Sequence, residues 1–238
     1  MTRCQSHPTT DFARLYPARC LPFQAVGRCC PTALSPYRST ACSSRRLCFA
    51  PVPTPACDGE RQLTVLDFRS IWENDAIPYE EFVESVEKNE SLWKGVYRMA
   101  HIPDWAYEMA CRLGPGVKLL GIVEDWCGDA SNTIPVLARL GHEADCLDMK
   151  VIRRDEHPDV MDQYLTNGSR SIPIVIALDQ QFNELGHWGP RPSEIQQWVM
   201  ENKDKVPAQE RYPKVRRWYA RDRGVGTLRE VLGMLGGQ

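Results

Sequence analysis

The sequence predicts an α/β fold for residues 61–238, with a central sheet that is parallel at its core and has helices on its faces. Short apolar runs bounded by turn residues, at 117–124 and 172–178, indicate strands buried on both faces. Helical patterns lie between them, at 128–140, which Gly141 is expected to end, and in "PDVMDQYLT" at 158–166. Alternating strands and helices are typical of a sheet covered on both sides.

Two helices are predicted before this core. The segment "PYEEFVESVEKNESLWKGVYRMA", residues 78–100, has the pattern of one amphipathic helix. Four large apolar residues recur in it at steps of four, seven and four: Phe82, Val86, Trp93 and Tyr97. A shorter helix is expected over about 104–113, because "GPG" follows it.

Further strands are expected at 145–152 and at 181–185, the latter as an antiparallel hairpin partner of the 172–178 strand. One helix follows these strands within the core, and two more helices form a C-terminal extension. The pairs Ser193/Gln196 and Thr227/Glu230 have the spacing of capping boxes, which predicts that helices begin there. The third helix lies between them and includes "VRRWY", residues 215–219.

Residues 1–60 differ in composition from the rest of the chain. They hold seven of the ten cysteines, eight of the eighteen prolines, seven arginines and no lysine, without helical or strand periodicity. We interpret them as a disordered leader or as the product of a misassigned start codon. An amphipathic transit peptide is disfavoured because prolines interrupt the segment repeatedly.

Composition also limits the classes of partner. A net charge of −2 gives no indication of a nucleic-acid or membrane partner, and the longest apolar runs are too short to cross a bilayer. The histidines lack the spacing of metal ligands, so no metal site is expected. Only three cysteines lie beyond residue 60, and a reducing cytoplasm suits such unpaired thiols, so a cytoplasmic location is predicted.

The candidate reactive group is Cys127, in "EDWCGDA" at 124–130. It follows a buried strand and opens a helix, where free backbone N–H groups and the helix dipole favour a thiolate. Trp126 supplies a flat apolar wall beside it, and Pro135 is expected to kink the helix. In "RSIPIVIAL", residues 170–178, the bond Ile172–Pro173 enters a strand and is a candidate for the cis form.

These pieces, in this order, resemble the thioredoxin superfamily. "WCGDA" stands where thioredoxins have W-C-G-P-C, and Pro135 follows the cysteine by the family's eight residues. "RSIP" resembles the family's R-G-I-P, 46 residues after Cys127, and the loop Gly186–Gly189 resembles the glycine loop that completes the substrate groove. The resemblance covers roughly 115–203, and the whole chain also resembles a group of bacterial thioredoxin-like proteins.

The resemblance implies a thioredoxin-like sheet, parallel at its core with an antiparallel hairpin, flanked by helices and extended by helices at both ends. It also implies that Cys127 is the nucleophile. The implied substrate groove contains Trp126, Gly128, Asp129, Ile172, Pro173, Gly186 and His187. For His187 two interpretations stay open: it orients or protonates a leaving thiolate, or it is a surface histidine without a role.

The sequence departs from the family at three positions. Ala130 replaces the resolving cysteine, Asp129 replaces the proline between the thiols, and Gly121 replaces the buried carboxylate that assists proton transfer in thioredoxins. In addition, the acids at 124, 125 and 129 are expected to raise the thiol pKa and to oppose the effect of the helix start.

Without a resolving thiol, Cys127 can form a mixed disulfide but cannot release it alone. We therefore expect monothiol thiol–disulfide exchange with protein or small-molecule disulfides, in which an external low-molecular-weight thiol resolves the adduct and no cofactor is bound. Alternatives are a resolving cysteine elsewhere, although Cys111 and Cys146 are expected to be buried, and a redox-inactive peptide- or protein-binding module. An iron–sulfur cluster is disfavoured, because one cysteine cannot supply its thiolate ligands.

Overall fold

A five-stranded sheet organises the computed structural model, which describes residues 65–144 and 147–236. The strand order is β1-β3-β2-β4-β5. The strands are β1 Ile77–Pro78, β2 Val117–Val123, β3 Leu147–Arg153, β4 Ile174–Leu178 and β5 Glu184–Trp188. Strands β2 and β3 are parallel and the other pairs are antiparallel, which confirms the predicted thioredoxin-like α/β sheet. The predicted leader, residues 1–60, lies outside the described residues.

Helices cover the sheet and extend it at both ends of the described chain. They are α1 Phe68–Ser70, continued by a π-helical turn at Ile71–Asp75, α2 Tyr79–Glu84, α3 Glu90–Met99, α4 Asp104–Arg112, α5 Ala130–Glu143, α6 Pro158–Met161, α7 Ser193–Asn202, α8 Ala208–Asp222 and α9 Val225–Gly236. Helix α5 contains Pro135, and α9 packs against β5, α4 and α5.

The core follows from the apolar runs of β2 and β4. Leu119, Leu120 and Ile122 are completely buried, and every residue of β4 is buried. Removing each such side chain from water stabilises the folded state by about 1.5–3 kcal/mol. The two central strands therefore fix the frame on which the loops at 124–129 and 170–173 are held.

The predicted helix over 78–100 is instead two helices, because a carboxylate from a distant loop takes its backbone donors. Oδ2 of Asp125 accepts hydrogen bonds from the N–H groups of Glu87 at 3.1 Å and Lys88 at 3.0 Å. Asn89 follows with φ of +56°, in the left-handed region. The apolar periodicity continues across the break, since the rings of Phe82 and Trp93 still meet at 5.0 Å.

Other boundaries also differ from the sequence prediction. Helix α5 continues past Gly141 to Glu143, and a Cβ at Gly141 would come 3.0 Å from the carbonyl oxygen of Leu147, so glycine serves the approach of β3 rather than a helix end. Helix α6 ends at Met161, earlier than predicted. The second hairpin strand is β5, so Gly186 and His187 lie in a strand and not in a loop.

Neither predicted capping box forms. The backbone N–H of Ser193 and its hydroxyl both donate to Oε1 of Glu230, and the indole N–H of Trp188 donates to Oε2 of the same residue at 2.7 Å. Thr227 lies buried inside α9. Charge-assisted bonds to Glu230 thus take the place of a local cap at Ser193, and they connect α7, β5 and α9.

Candidate functional site

Cys127 lies in the turn between β2 and α5, facing the residue that precedes β4. Its thiol is 7% exposed and donates to the carbonyl oxygen of Ile172, with Sγ and O 3.4 Å apart. The N–H of Ala130 donates to Sγ, also at 3.4 Å. The Ile172–Pro173 bond is cis, as predicted. The sulfur and the cis-proline are therefore neighbours.

Burial determines the protonation state of this thiol. Burial, with a smaller contribution from the nearby carboxylate of Asp129, raises the pKa of Cys127 from 9.0 to about 11. The backbone N–H groups of Ala130 and Asp129 and the guanidinium of Arg191 act in the opposite direction but are outweighed. At neutral pH the group is a thiol. The start of the helix does not produce a thiolate.

Asp129 joins three parts of the fold. Its carboxylate pairs with Arg191, Nη2 to Oδ2 at 2.5 Å, and accepts a hydrogen bond from the hydroxyl of Tyr219 at 3.0 Å. Arg191 also donates to the side chain of Gln196 at 2.9 Å. Burial and the Asp129 charge raise the pKa of the Tyr219 hydroxyl, which keeps it a donor. This cluster connects the start of α5 to α7 and α8.

The other two acids near Cys127 are engaged elsewhere. Glu124 accepts the backbone N–H of Asp155 at 2.9 Å, and burial raises its pKa. Asp125 binds the connection between α2 and α3, and its carbonyl oxygen accepts from the indole of Trp93 at 3.0 Å. Of the three acids that the sequence places beside the thiol, Asp129 is the one whose charge acts on it.

A cavity of about 500 Å³ opens beside the sulfur. Five of the residues predicted for the site line it: Trp126, Cys127, Gly128, Asp129 and Ile172. Trp126 is 41% exposed at this surface, and Pro173 is buried directly behind Ile172. The structure thus brings the first loop and the start of β4 together around one opening.

Gly186 and His187 do not line this cavity. Gly186 packs against α9, where a Cβ would lie 3.1 Å from Sδ of Met234. Nδ1 of His187 is 3.0 Å from Oε1 of Glu184, and its ring meets that of Tyr164 edge-on at 4.9 Å. Because Gly186 and His187 belong to β5, His187 contacts Glu184 and Tyr164 and does not contact the thiol of Cys127.

Sequence reasoning missed the arginines of the site. Five of them line the cavity: Arg154, Arg170, Arg191, Arg211 and Arg216. Helix α8 supplies two, together with Tyr212, Val215 and Tyr219. The signal was present in "RYPKVRRWY", because residues 211, 215 and 219, and likewise 212 and 216, recur every four positions on one helical side.

The surroundings lack other redox groups of the usual thioredoxin pattern. A Cβ at Gly121 would meet the side chains of Val151, Ile134 and Met149, which are apolar. Cys111 is exposed on α4 and not buried as expected, and Cys146 lies outside the described residues. Within 65–144 and 147–236, no group of three or more His, Cys, Asp or Glu side chains could hold a metal ion. None of the helices described combines the length and apolarity needed to cross a bilayer.

Comparison with known proteins identifies the family. The family model described as thioredoxin matches residues 76–207, more than half of the chain. This chain belongs to the thioredoxin family. No curated protein matches this thioredoxin-family chain.

Two solved structures share the fold of this thioredoxin-family chain. A protein of unknown function from Pseudomonas aeruginosa is 19% identical, with a TM-score of 0.56, over 68% of this chain and 93% of that one. An HIV epitope-scaffold is 18% identical, with a TM-score of 0.55, over 68% of this chain and 94% of that one. At such identities the likeness concerns the fold alone.

Proposed function

We propose that this thioredoxin-family protein is a binding module that holds a partner in the cavity beside Cys127 and does not turn over disulfides. The observation that carries the proposal is the state of Cys127. Its sulfur is buried, donates to a backbone carbonyl and is protonated at neutral pH. A nucleophilic cysteine requires the opposite state, because the thiolate is the attacking species.

The size of this effect decides between the two functions. With a pKa of about 11, roughly one Cys127 in ten thousand is a thiolate at pH 7, against about 3% for a free cysteine. The greater nucleophilicity of a high-pKa thiolate recovers a factor of roughly fifteen. Cys127 is therefore expected to attack a disulfide about twentyfold more slowly than an ordinary cysteine, before its burial is counted.

The later steps of dithiol turnover also lack their groups. Ala130, at the resolving position, is completely buried and carries no thiol. Gly121 occupies the position of the proton-transferring carboxylate. A Cβ added there would lie 3.2–3.4 Å from apolar side chains. A cavity of about 500 Å³ is in the size range of ligand sites, and an exposed tryptophan is frequent in binding surfaces.

Monothiol exchange is the second candidate, favoured by the contact of Sγ with the cavity and by its position beside the cis-proline. In this reaction the Cys127 thiolate attacks a disulfide, forms a mixed disulfide and releases one thiolate. An external thiol then attacks the adduct, restores Cys127 and leaves as a disulfide. Free thiols at Cys111 and Cys127 agree with the cytoplasmic location that we propose.

Competition between two cysteines of the same chain tests the proposal. The full chain, and its Cys127→Ser and Cys111→Ser variants, are incubated with oxidised glutathione at pH 7, and adducts are located by peptide mass spectrometry. We expect the exposed Cys111 to form the mixed disulfide first and Cys127 to stay reduced. Faster adduct formation at Cys127, with thiol-dependent disulfide reduction lost in Cys127→Ser alone, would overturn the proposal in favour of exchange.

A further inference from the structure

We infer, building on the proposed binding function, that the cavity beside Cys127 recognises a ligand with at least two carboxylate groups. The groups come from a small polycarboxylate or from neighbouring acidic side chains of a peptide, and the chemistry of recognition is the same for both. Guanidinium groups bind carboxylates through forked, charge-assisted hydrogen bonds. The evidence is the charge of the lining, two unpaired buried donors and the two different elements that carry these donors.

The lining is basic although the surrounding chain is acidic. Five arginines line the cavity and one carboxylate, that of Asp129, faces them. Residues 61–238 as a whole contain 22 basic and 28 acidic residues. The charge of the cavity lining is therefore opposite in sign to the net charge of residues 61–238, and an anionic ligand is the complementary partner.

Three of the arginines have partners and shape the walls. Arg191 is held by Asp129. Arg170 makes two bonds to one carboxylate, at 2.6 and 2.8 Å, and Arg154 makes two to another, at 2.9 and 2.7 Å. The guanidinium of Arg154 also lies 4.8 Å from the centre of the Trp126 ring. These side chains are fixed before any ligand arrives.

The unpaired donors are concentrated at the same place. In the described part of the chain, three buried side-chain nitrogen or oxygen atoms have no hydrogen-bond partner, and two of them are Nε of Arg191 and Nε of Arg211. Buried donors without acceptors are rare in folded proteins. Both arginines line the cavity, so a ligand acceptor there would satisfy them. Arg216, which is exposed, adds a further guanidinium to the cavity wall.

The arrangement favours carboxylates over a single phosphate. One unpaired donor belongs to the loop after β5 and the other to α8, and a ligand with two carboxylates can supply a separate acceptor to each. A phosphate concentrates its charge and needs several converging donors.

Calorimetric titration of the full chain tests this inference with four probes: propane-1,2,3-tricarboxylate, acetyl-Glu-Glu-Glu-amide, acetyl-Gln-Gln-Gln-amide and inorganic phosphate. We expect a carboxylate probe to bind at least tenfold more tightly than the Gln peptide, with an affinity that falls as salt rises. The tighter of the two carboxylate probes identifies the source of the ligand.

Variants of α8 provide the matched control. Arg211→Gln and Arg216→Gln are each expected to weaken the binding roughly tenfold, as loss of a charge-assisted hydrogen bond does. Arg217→Gln removes an exposed arginine of the same helix that does not line the cavity, and it should leave the affinity unchanged. Circular dichroism verifies that each variant is folded, and Arg211→Lys restores part of the affinity if charge is what matters.

Three results would overturn the inference: no binding of either carboxylate probe, phosphate binding as tightly as they do, or equal losses in Arg217→Gln. These results differ from failure of the proposed function. If Cys127 is unreactive and neither carboxylate probe binds, the proposed ligand class is wrong but the redox-inactive binding module is not disproved. A reactive Cys127 in a chain that binds the acidic probe disproves the redox-inactive module only.

Discussion

Raising the pH tests the environment of Cys127 most directly. Burial holds the pKa of this thiol at about 11, so its reaction with iodoacetamide should become about tenfold faster for each unit from pH 7 to pH 10. An ordinary cysteine is half ionised near pH 8.5, and its reaction rate levels off about one pH unit above that value. The exposed Cys111 is the accessible thiol of the same chain with which the alkylation of Cys127 is compared.

The expected ratio follows from the two ionised fractions. At pH 7 the alkylation of Cys127 should be about twentyfold slower than that of a free cysteine, and slower still because the side chain is only 7% exposed. At pH 10 the thiolate fraction of Cys127 rises to roughly a tenth, which narrows the difference. The steepness of the profile between these values is the diagnostic quantity.

The assay is timed alkylation of the native full chain, quenched in denaturant and read by peptide mass spectrometry at both cysteines. Denatured protein gives the unperturbed rates for the same two peptides and corrects for sequence effects. A Cys127 profile that levels off below pH 8.5, or a Cys127 rate at pH 7 above that of Cys111, would refute the reasoning, because the thiol would then be neither buried nor protonated.

Three further predictions concern stability. Replacing Cys127 by Ser should remove a pH-dependent loss of stability. The raised pKa lets only the unfolded thiol ionise just above pH 9, so the wild-type ΔG of unfolding falls relative to that of the variant as the pH rises. The fall should reach about 2.3 kcal/mol at pH 11, as urea titrations at pH 8 and pH 11 can measure. Asp125→Ala should cost about 2–4 kcal/mol in the same assay, because two backbone N–H groups between α2 and α3 lose a charged acceptor, and a cost under 1 kcal/mol would contradict this. Gly189→Ala should cost about 3 kcal/mol or more, since φ is +139° and the new Cβ would lie 2.2 Å from the carbonyl oxygen of Pro173. Gly128→Ala, with nothing within 4 Å of the added Cβ, is its control and should stay within about 0.5 kcal/mol.

The sequence was sufficient for features that depend on local pattern. The largely apolar run of β2, the proline inside α5 and the proline before β4 identified the strands, the position of Cys127 and the cis bond beside it. The periodicity of apolar residues and the spacing of prolines predict such features, because a strand buried on both faces requires apolar residues and proline restricts the backbone at its own position. The fold and half of the site therefore followed from short stretches.

The features that failed depend on contacts between distant residues. The break between α2 and α3 is made by Asp125, 37 and 38 residues away, while the apolar spacing continues through it. Both expected capping boxes gave way to Glu230, whose carboxylate binds Ser193 across 37 residues. The pKa of the Cys127 thiol depends mainly on the burial of its sulfur, and the acidic residues near it in the sequence do not predict that burial.

Helix α8 carries a consequence for comparing relatives. It begins at Ala208, just after the matched region 76–207, yet it supplies Arg211, Arg216 and Tyr219 to the wall facing the sulfur. Two chains could agree at every position through residue 207 and still admit different molecules. A classification of such proteins by their Trp-Cys-Gly segment would follow their ancestry. A classification by the residues of this helix that line the cavity would instead follow the ligand that we propose they bind.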